Sequence, residues 1–471
     1  MARTIIGRRK EKEILVRALD SSRSELIAVY GRRRIGKTFL IREFYEDEMV
    51  FSVTGYSKGN RAVQIKNFMT KLNEVTEEFK DNEPKDWIDG FILLKKFIIS
   101  LRKRKAKKVI FIDEFPWIAT NKSGFLAAFE NFWNDFCAAR TDLVVVVCGS
   151  AASYMVKKII KNDKGLSKRI TQKINLRPFN LGEVRDFFEH KNNPIIEYEL
   201  LKIYMSLGGI PEYLEQVQKG ESAVRTIDRL CFQPGAYLED EFDEVFESLF
   251  ESSSFHKRII DVLADGKKKG LTRNELLEKS GVGTSSGRFS QSLTELEISG
   301  FVLKYDSYIG KSKETLYRIY DEYCLFYLQF MKPFKGSNWQ QLYQKQEYKS
   351  WCGYAFETIC LKHSTEIKRA LKIEGIASKN YTWSNPKAQV DMVIDRDDNW
   401  VNLCEMKFYN DEYTIDAAYL KRLETKKREY KTDKAGRKGL YITMVTTHGV
   451  KSNKYSTAVV DHDLTIDCLF M

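Results

Sequence analysis

The sequence lacks any apolar run of about 18 residues, the length at which a helix begins to span a membrane. It also lacks a signal-peptide pattern, because the first residues lead directly into a segment patterned like a folded domain. Its eight cysteines are scattered without a C-x-x-C pair, which favours reduced thiols over disulfides or a zinc site. We therefore expect a cytoplasmic protein without a membrane partner.

No internal repeat and no low-complexity tract is found in the 471 residues. The hydrophobic content of 43% and the aromatic content of 13% exclude a disordered chain, and the length predicts about three domains. The net charge of +12 indicates an anionic partner, and the basic region from Lys421 to Lys438 contributes to this charge. The partner that we expect is nucleic acid, DNA rather than RNA. A solvated surface is the alternative explanation of such charge runs.

The most specific motif is G-x-x-x-x-G-K-T, which follows the apolar segment Ile27–Tyr30 and precedes a helical pattern. Glycines at this spacing let backbone N–H groups surround the β-phosphate of a nucleoside triphosphate, and Lys37 would reach the β- and γ-oxygens. The Thr38 hydroxyl would hold Mg²⁺, and the N-terminus of the helix adds a positive dipole. The predicted ATP contacts are Gly31, Arg32, Arg33, Arg34, Ile35, Gly36, Lys37, Thr38 and Phe39.

Two later apolar segments end in polar residues that would complete a phosphoryl-transfer site. After Lys108–Ile112, Asp113 would bind Mg²⁺ through water and Glu114 would polarise the attacking water. The segment Leu143–Cys148 is followed by Gly-Ser, and Ser150 would contact the γ-phosphate. Taken alone, a core strand whose acidic end faces solvent would also explain the first pattern.

The order of these three motifs resembles that of the AAA+ and STAND ATPases, and more narrowly the archaeal-type ATPase family of archaea and bacteria. Two further segments are similar to motifs of that family: Ile5-Ile6-Gly7-Arg8, its N-terminal box beside the nucleotide base, and Gly208-Gly209-Ile210-Pro211, its lid motif. The resemblance implies nucleotide contacts for Arg8 and Pro211. It also implies a charge-sensing role for Arg169, which would act on a neighbouring copy in a homo-oligomer. A surface arginine on a basic helix end is the alternative.

Between residues 251 and 322, three helical patterns and two strand patterns predict a winged helix. The helices are expected at Phe255–Leu263, after Thr272 and at Phe289–Ile298, and the strands at Phe301–Tyr305 and Thr315–Tyr320. In this fold the third helix normally enters the major groove and the wing touches phosphate. The DNA contacts would be Ser285, Ser286, Arg288, Ser290 and Gln291, with Lys311 and Lys313 on the wing. A module that only packs, without DNA contact, is the alternative.

A second set of chemically active residues lies near the C-terminal end. The strands Gln389–Asp395 and Trp400–Phe408 are separated by a turn, which brings Asp391, Glu405 and Lys407 together across a hairpin. Two carboxylates would hold Mg²⁺ or Mn²⁺ against a scissile phosphate. The lysine would orient or deprotonate water and stabilise charge in the transition state.

A helix predicted from Trp351 to Leu371 places Glu357 as a candidate additional metal ligand. The arrangement resembles the PD-(D/E)XK nuclease superfamily, in the version fused to the C-terminus of archaeal-type ATPases. Gly353-x-x-Phe356-Glu357 and Tyr317-x-x-x-Asp321 are similar to signatures of that version, whereas Val390 stands where the superfamily motif has proline. The resemblance implies metal-dependent cleavage of nucleic acid.

We predict an α/β multi-domain protein in five parts. These are a P-loop AAA+-like ATPase core (1–180), a helical lid and linker (181–250), a winged helix-turn-helix (251–322), a connector (323–348) and a PD-(D/E)XK restriction-endonuclease-like α/β domain (349–471). The predicted function is ATP binding and hydrolysis, with the nucleotide state controlling DNA binding and metal-dependent cleavage. Two alternatives keep only the ATPase: a STAND-like switch that binds nucleic acid or protein without cutting, and a motor that remodels nucleic acid.

Overall fold

The computed structural model describes residues 4–101, 107–150, 154–155, 165–250, 253–265, 270–281, 286–336 and 338–471. The chain forms two compact units: Met1–Arg177 with Val245–Ser253, and Pro178–Glu244 with Ser254–Met471. Within the described ranges, no helix combines the length and the apolar character that a membrane span requires.

The first unit is built on a five-stranded parallel sheet. Its strands are β1 (Glu25–Tyr30), β2 (Met49–Thr54), β3 (Lys108–Asp113), β4 (Leu143–Gly149) and β5 (Gln172–Asn175), in the order β2-β3-β4-β1-β5. The apolar residues of β3 and β4 are buried on both faces, as parallel sheets require. The carboxyl ends of β1, β3 and β4 therefore meet at one edge of the sheet.

Helices cover the two faces of this sheet. They span Arg9–Asp20, Lys37–Phe44, Arg61–Val75, Trp87–Ser100, Phe115–Ile118 and Phe125–Phe132, with shorter turns at Trp133–Cys137 and Gly165–Lys168. Several of them meet in an aromatic core in which the rings of Trp87 and Phe125 lie 4.7 Å apart and those of Phe91 and Phe132 lie 4.8 Å apart. This core fixes one face of the sheet.

The second unit contains an eight-stranded mixed sheet. Its strands are β6 (Leu271–Thr272), β7 (Val302–Ile309), β8 (Ser312–Ile319), β9 (Ser378–Ser384), β10 (Gln389–Arg396), β11 (Trp400–Lys407), β12 (Gly439–Thr446) and β13 (His462–Leu464). The order is β13-β12-β11-β10-β9-β7-β8-β6. Strands β7 and β9 pair in parallel, with Ser307 opposite Thr382. The predicted wing hairpin and the C-terminal module thus belong to one sheet. The predicted domain boundaries at residues 322 and 349 therefore do not separate two sheets.

The helices of the second unit surround this sheet. They span Leu181–His190, Glu197–Leu207, Pro211–Leu214, Ala223–Cys231, Ser253–Asp265, Arg273–Ser280, Ser286–Ile298, Glu322–Phe326, Trp339–Tyr343, Gln346–Lys362, Ser364–Ala370, Ala417–Tyr430 and Ser456–Val459, while Glu241–Leu249 contributes to both units. Thr272 caps the helix Arg273–Ser280 through a capping box with Glu275, at the place where the sequence predicted a helix to begin.

Two predictions about the helices between the hairpin and β9 need correction. The segment 323–348 is not a simple connector, because it forms helical turns whose aromatic residues are buried: Phe326 and Trp339 are completely inaccessible. The helix expected from Trp351 to Leu371 is divided at His363 into Gln346–Lys362 and Ser364–Ala370. The buried His363 ring explains the break, because its Nε2 accepts the Leu181 N–H at 3.1 Å while its Nδ1 contacts the Ile359 carbonyl.

Candidate functional site

The loop between β1 and the helix Lys37–Phe44 has the backbone that its glycines were expected to allow. Gly31, Arg34 and Gly36 have φ values of 149°, 67° and 86°. A Cβ atom at Gly31 would lie 2.4 Å from the carbonyl oxygen of Leu176, so a larger residue cannot be accommodated there. The helix begins at Lys37, which directs its N-terminal N–H groups at the loop.

The two side chains that follow Gly36 point to the centre of this loop. Lys37 is buried, its Nζ donates to the Arg32 carbonyl at 2.7 Å, and burial lowers its pKa against the opposing effect of Glu114 and Asp113. Thr38 Oγ1 donates to Asp113 Oδ2 at 2.7 Å. A hydroxyl and a carboxylate in contact are oxygen donors of the kind that Mg²⁺ takes, so the side chains present fit this ion.

Glu114 follows Asp113 in a left-handed conformation, with φ 45°. Its two carboxylate oxygens accept a hydrogen bond from Ser150 Oγ at 3.1 and 2.9 Å. Burial raises the pKa of Glu114, and Lys37 opposes this effect. A carboxylate whose pKa is raised toward neutrality can accept a proton, and the strained backbone indicates that its orientation is imposed.

Arg8 lies in a position that the sequence did not suggest. Its guanidinium is buried and donates to the carbonyls of Ile35, at 3.2 Å, and Arg177, at 2.5 Å. It therefore joins the phosphate-binding loop to the residue at which the first unit ends. Its predicted place beside the nucleotide base stays a prediction.

The remaining predicted nucleotide residues are more peripheral. Arg33, Arg34 and Phe39 are partly exposed in and after the loop, and Arg169 is exposed directly after the turn Gly165–Lys168. Pro211 is the first residue of the helix Pro211–Leu214 in the second unit. The structure brings Lys37, Thr38, Asp113, Glu114 and Ser150 together, and it leaves the roles of Arg169 and Pro211 as predictions.

The second candidate site lies on the hairpin of β10 and β11, whose register places Met392 opposite Cys404. Lys407 Nζ lies 3.6 Å from Asp391 Oδ2 and 3.4 Å from Glu405 Oε2. Burial would lower the pKa of Lys407, but the two carboxylates raise it well above its usual value. The structure therefore brings these three side chains together as the hairpin prediction required.

The helix Ala417–Tyr430 contributes two further partners to this site. Lys426 Nζ lies 2.5 Å from Glu405 Oε1, and the Tyr419 hydroxyl donates to Glu405 Oε2 at 3.2 Å. Burial and the nearby Asp391 raise the pKa of Glu405, and the two lysines oppose this shift. In the sequence, Lys426 stood out only as part of the basic region from Lys421 to Lys438. The spacing of seven residues between Tyr419 and Lys426, which places both on one helix face, is the local signal that they could act at the same site.

Glu357 is held by a residue that sequence reasoning missed. Arg318 on β8 is buried, and its guanidinium donates to Glu357 Oε1 at 3.0 Å and to Thr358 Oγ1 at 2.8 Å. Burial raises the pKa of Glu357, Arg318 lowers it, and Asp391 raises it. A lone arginine in a predicted wing strand carries no sequence signal for this pairing. Among the described residues, no group of three or more His, Cys, Asp or Glu side chains is arranged to hold a metal ion.

A cavity of about 780 Å³ opens beside Asp391 and Glu405, and we call it the basic cavity. Besides the two carboxylates it is lined by Lys387, Ala388, Gln389, Lys407, Tyr413, Ala418, Tyr419, Lys421, Arg422, Thr425 and Lys426. Glu357 lines a separate cavity of about 460 Å³, and Gln389 lines both. The first cavity thus combines acidic groups at the hairpin with cationic groups on the following helix.

The residues predicted to contact DNA from the third helix are largely used inside their own module. The guanidinium of Arg288 lies 3.6 Å from the centre of the Phe255 ring, and Gln291 donates to Glu295 at 2.7 Å. Ser290 accepts a hydrogen bond from Arg273. On the hairpin, Lys313 pairs with Asp306 at 2.7 Å, while Ser285 lies outside the described residues and nothing is described of the Ser286 side chain.

Comparison with known proteins identifies part of the chain. Residues 6–217 match a family model described as an ATPase domain predominantly from Archaea. An uncharacterized protein of Methanocaldococcus jannaschii is 26% identical over 400 residues, which are 84% of this chain and 85% of that protein. An uncharacterized ATP-binding protein of the same organism is 42% identical over 45 residues, which are 10% of this chain and 76% of that protein.

Two solved structures are similar to this chain at low sequence identity. A Walker-type ATPase of Pyrococcus abyssi is 20% identical with a TM-score of 0.49, and the match covers 69% of this chain and 96% of that chain. The ORC2 protein of Aeropyrum pernix, solved in ADPNP–ADP complexes, is 16% identical with a TM-score of 0.41. This match covers 70% of the present chain and 94% of the ORC2 chain.

Proposed function

We propose that the N-terminal part of this chain, whose residues 6–217 match a model of an ATPase domain predominantly from Archaea, binds and hydrolyses ATP, and that its nucleotide state controls nucleic-acid binding and phosphodiester cleavage by the C-terminal module. The observation that carries the second half of this proposal is the position of Lys407, whose ammonium lies within 3.6 Å of both Asp391 and Glu405 at the basic cavity.

The ATPase chemistry is assigned to the residues at the carboxyl ends of β1, β3 and β4. Lys37 would exchange its bond to the Arg32 carbonyl for the β- and γ-phosphate oxygens of ATP, and Thr38 and Asp113 would hold Mg²⁺. When bound, this ion neutralises charge that develops on the phosphates. Glu114 orients and deprotonates the attacking water, and the Ser150 hydroxyl fixes the Glu114 carboxylate.

Arg8 supports the control of the C-terminal module by nucleotide. Because its guanidinium binds both Ile35 in the phosphate-binding loop and Arg177 at the end of the first unit, a change in the loop is transmitted to the connection that leads into Pro178. The neighbouring Leu176 N–H also donates at 2.8 Å to the carbonyl of Tyr30, the last residue of β1 before the loop. ATP binding would therefore alter the conformation of the connection at Arg177, from which the chain enters the second unit.

Cleavage is assigned to the hairpin of β10 and β11. Asp391 and Glu405 offer oxygen ligands to Mg²⁺ or Mn²⁺, which when bound polarises the scissile phosphate. Lys407 orients the attacking water and stabilises negative charge in the transition state, and its raised pKa keeps it cationic for the second task. Glu357 remains a candidate additional ligand, but it would first have to leave Arg318.

The test is cleavage of linear, circular and single-stranded DNA and of RNA, with Mg²⁺ or Mn²⁺, with and without ATP. We expect wild-type cleavage that Lys407→Ala abolishes and Lys37→Ala makes independent of ATP. Lys349→Ala, an exposed lysine on the helix Gln346–Lys362, is the matched control and should cleave normally. No cleavage by the wild type under any condition, with ATP hydrolysis intact, would overturn the nuclease half.

A second candidate is an ATP-driven switch whose C-terminal module binds without cutting. It is favoured by the pairing of Glu405, whose two oxygens already meet Lys426 and Lys407, together with the lack of a three-ligand metal group among the described residues. On this reading Lys407→Ala alters binding but removes no activity, so the same experiment distinguishes the two candidates.

A further inference from the structure

The basic cavity has two exposed cations, Lys421 and Arg422. Both lie on the helix Ala417–Tyr430, and the described residues provide neither of them with an ion-pair partner. The guanidinium of Arg422 lies 5.0 Å from the centre of the Tyr419 ring. These cations are positioned for phosphate groups that approach the carboxylates Asp391 and Glu405.

An exposed aromatic ring stands next to this cavity on a fixed backbone. Tyr409 is 52% exposed, yet its N–H donates to Thr447 Oγ1 at 2.9 Å and its carbonyl accepts from the same hydroxyl. The residues on either side are anchored as well. The ring centres of Phe408 and Tyr198 lie 5.6 Å apart in a stacked arrangement, and Asn410 Oδ1 accepts a hydrogen bond from the Tyr198 hydroxyl at 2.7 Å. Little ordering entropy remains to be lost when a flat ligand stacks on the Tyr409 ring.

A row of tyrosines connects this ring to the candidate cleavage site. The ring centres of Tyr409 and Tyr413 are 5.9 Å apart, and those of Tyr413 and Tyr419 are 5.5 Å apart. Tyr413 and Tyr419 line the basic cavity, and the Tyr419 hydroxyl contacts Glu405. The three rings thus form a path from the exposed Tyr409 to the Glu405 carboxylate, and the cations Lys421 and Arg422 line the same cavity as Tyr413 and Tyr419.

We propose that this path binds a single strand of nucleic acid, with bases stacked on Tyr409 and Tyr413 and phosphates held by Lys421 and Arg422. Rings can stack only on bases that are not already stacked within a duplex, and this combination of cationic groove and aromatic platform is the chemistry of single-strand binding. The cavity volume of about 780 Å³ suits a short stretch of one strand rather than a double helix. The inference rests on the proposed function and names the substrate class of the same site.

The test is binding by the full chain, measured as fluorescence anisotropy in EDTA so that cleavage does not occur. The labelled probes are a DNA strand, an RNA strand of equal length, the corresponding DNA duplex and an abasic strand with the same number of phosphates. We expect the base-bearing strands to bind about tenfold or more tightly than the abasic strand and the duplex, since each stacked base is worth about 5- to 100-fold. The DNA and RNA arms identify which strand is preferred.

Tyr409→Ala should lose this preference without weakening the abasic strand, and Tyr409→Phe should keep it because the ring remains. Tyr56→Ala is the matched control, a tyrosine 53% exposed in the first unit. Equal binding of strand, duplex and abasic probes by the wild type would overturn the inference without any variant. If Lys407-dependent cleavage of duplex persists in that case, the proposed function stands and only the single-strand assignment fails. If the wild type binds no nucleic acid at all, both fail.

Discussion

Glu114 illustrates how the ATPase site depends on one hydroxyl. Burial pushes the pKa of its carboxyl upward, whereas the hydrogen bonds from Ser150 hold it down. The carboxylate can accept a proton from water only while it is ionised. With Glu114 as the proposed base, the balance between burial, which raises its pKa, and Lys37 and Ser150, which lower it, sets the lower pH limit of ATP hydrolysis.

We expect Ser150→Ala to shift the acid limb of the kcat profile for ATP hydrolysis to higher pH by about one unit. A hydrogen bond to a charged group contributes about 1.5 kcal/mol or more, and about 1.4 kcal/mol corresponds to one pKa unit. Loss of the bond raises the Glu114 pKa further, so a larger fraction is protonated at any given acidic pH. The measurement is kcat as a function of pH at saturating ATP. Ser150→Thr keeps the hydroxyl and should keep the limb in place; an unshifted limb in the alanine variant would contradict the assignment.

In the second unit, the buried Arg318 is the cation that pairs with the largely buried carboxylate of Glu357. We expect Arg318→Met to lower the free energy of unfolding by about 3 kcal/mol, because Glu357, whose side chain is only 20% exposed, then loses its partner. The difference in the free energy of unfolding between the wild type and Arg318→Met should be smaller at acidic pH. Without Arg318 the folded-state pKa of Glu357 rises further above its value in the unfolded chain. At acidic pH the folded state therefore binds a proton at Glu357 more tightly than the unfolded state does, and this stabilisation is lost as pH increases.

Urea unfolding at acidic and at neutral pH tests this prediction. Arg318→Met/Glu357→Gln should recover part of the loss, because the unpaired charge is gone. Arg428→Met is the control, since that side chain is 68% exposed and its charge is solvated. A pH-independent deficit that the double variant does not relieve would show that Arg318 acts through packing alone.

At the scale of residues, local motifs could be predicted from the sequence, whereas ion pairs between residues far apart in the chain could not. The phosphate-binding loop follows from glycine spacing, because each of its contacts lies within a few residues. By contrast, Arg318 and Glu357 are separated by 39 residues and Lys426 and Glu405 by 21, so their pairing depends on which strands and helices become neighbours. No local pattern encodes the pair Arg318–Glu357, and the shared helix face of Tyr419 and Lys426 does not by itself select Glu405.

At the scale of elements, the join between β7 and β9 is the most consequential feature. The Thr382 hydroxyl donates to Ser307 Oγ at 2.9 Å, and the Gly310 N–H donates to the Ser384 carbonyl at 2.8 Å. The sequence pattern predicted a strand at Phe301–Tyr305, which overlaps β7, but none at β9, and parallel pairing across 75 residues leaves no periodic signal. The sequence therefore suggested independent domains where the structure has one continuous sheet.

We expect the hairpin strand β7 and the C-terminal strand β9 to lose protection from hydrogen exchange together when this sheet is destabilised. Trp383 on β9 is completely buried, and Trp383→Ala should cost about 3 kcal/mol or more. Hydrogen exchange measured by mass spectrometry should show faster exchange in peptides from both β7 and β9, because neighbouring strands open as one unit. Peptides from β3 and β4 in the first unit serve as the internal reference and should be unchanged. Unaltered exchange in β7 would mean that the hairpin is stable without β9.

At the scale of the whole molecule, the question is how two units that fold around separate sheets communicate. Arg8 offers a specific route, since its two hydrogen bonds connect the phosphate-binding loop to Arg177, the last residue before the second unit. Coupling of this kind is a ratio of affinities and is reciprocal between the two ligands. It can therefore be measured without observing any movement.

We expect the wild-type chain to bind a labelled DNA strand with affinities that differ about fivefold or more between ADP and a non-hydrolysable ATP analogue, the range typical of allosteric coupling. Arg8→Ala should bring this ratio close to one, because the loop then no longer holds the Arg177 carbonyl, while the affinity for the analogue itself changes little. Arg23→Ala is the matched control, a largely exposed arginine of the same unit, and it should keep the wild-type ratio. A ratio that survives in Arg8→Ala would place the coupling elsewhere, whereas loss of nucleotide binding in that variant would instead support the predicted contact of Arg8 with the nucleotide.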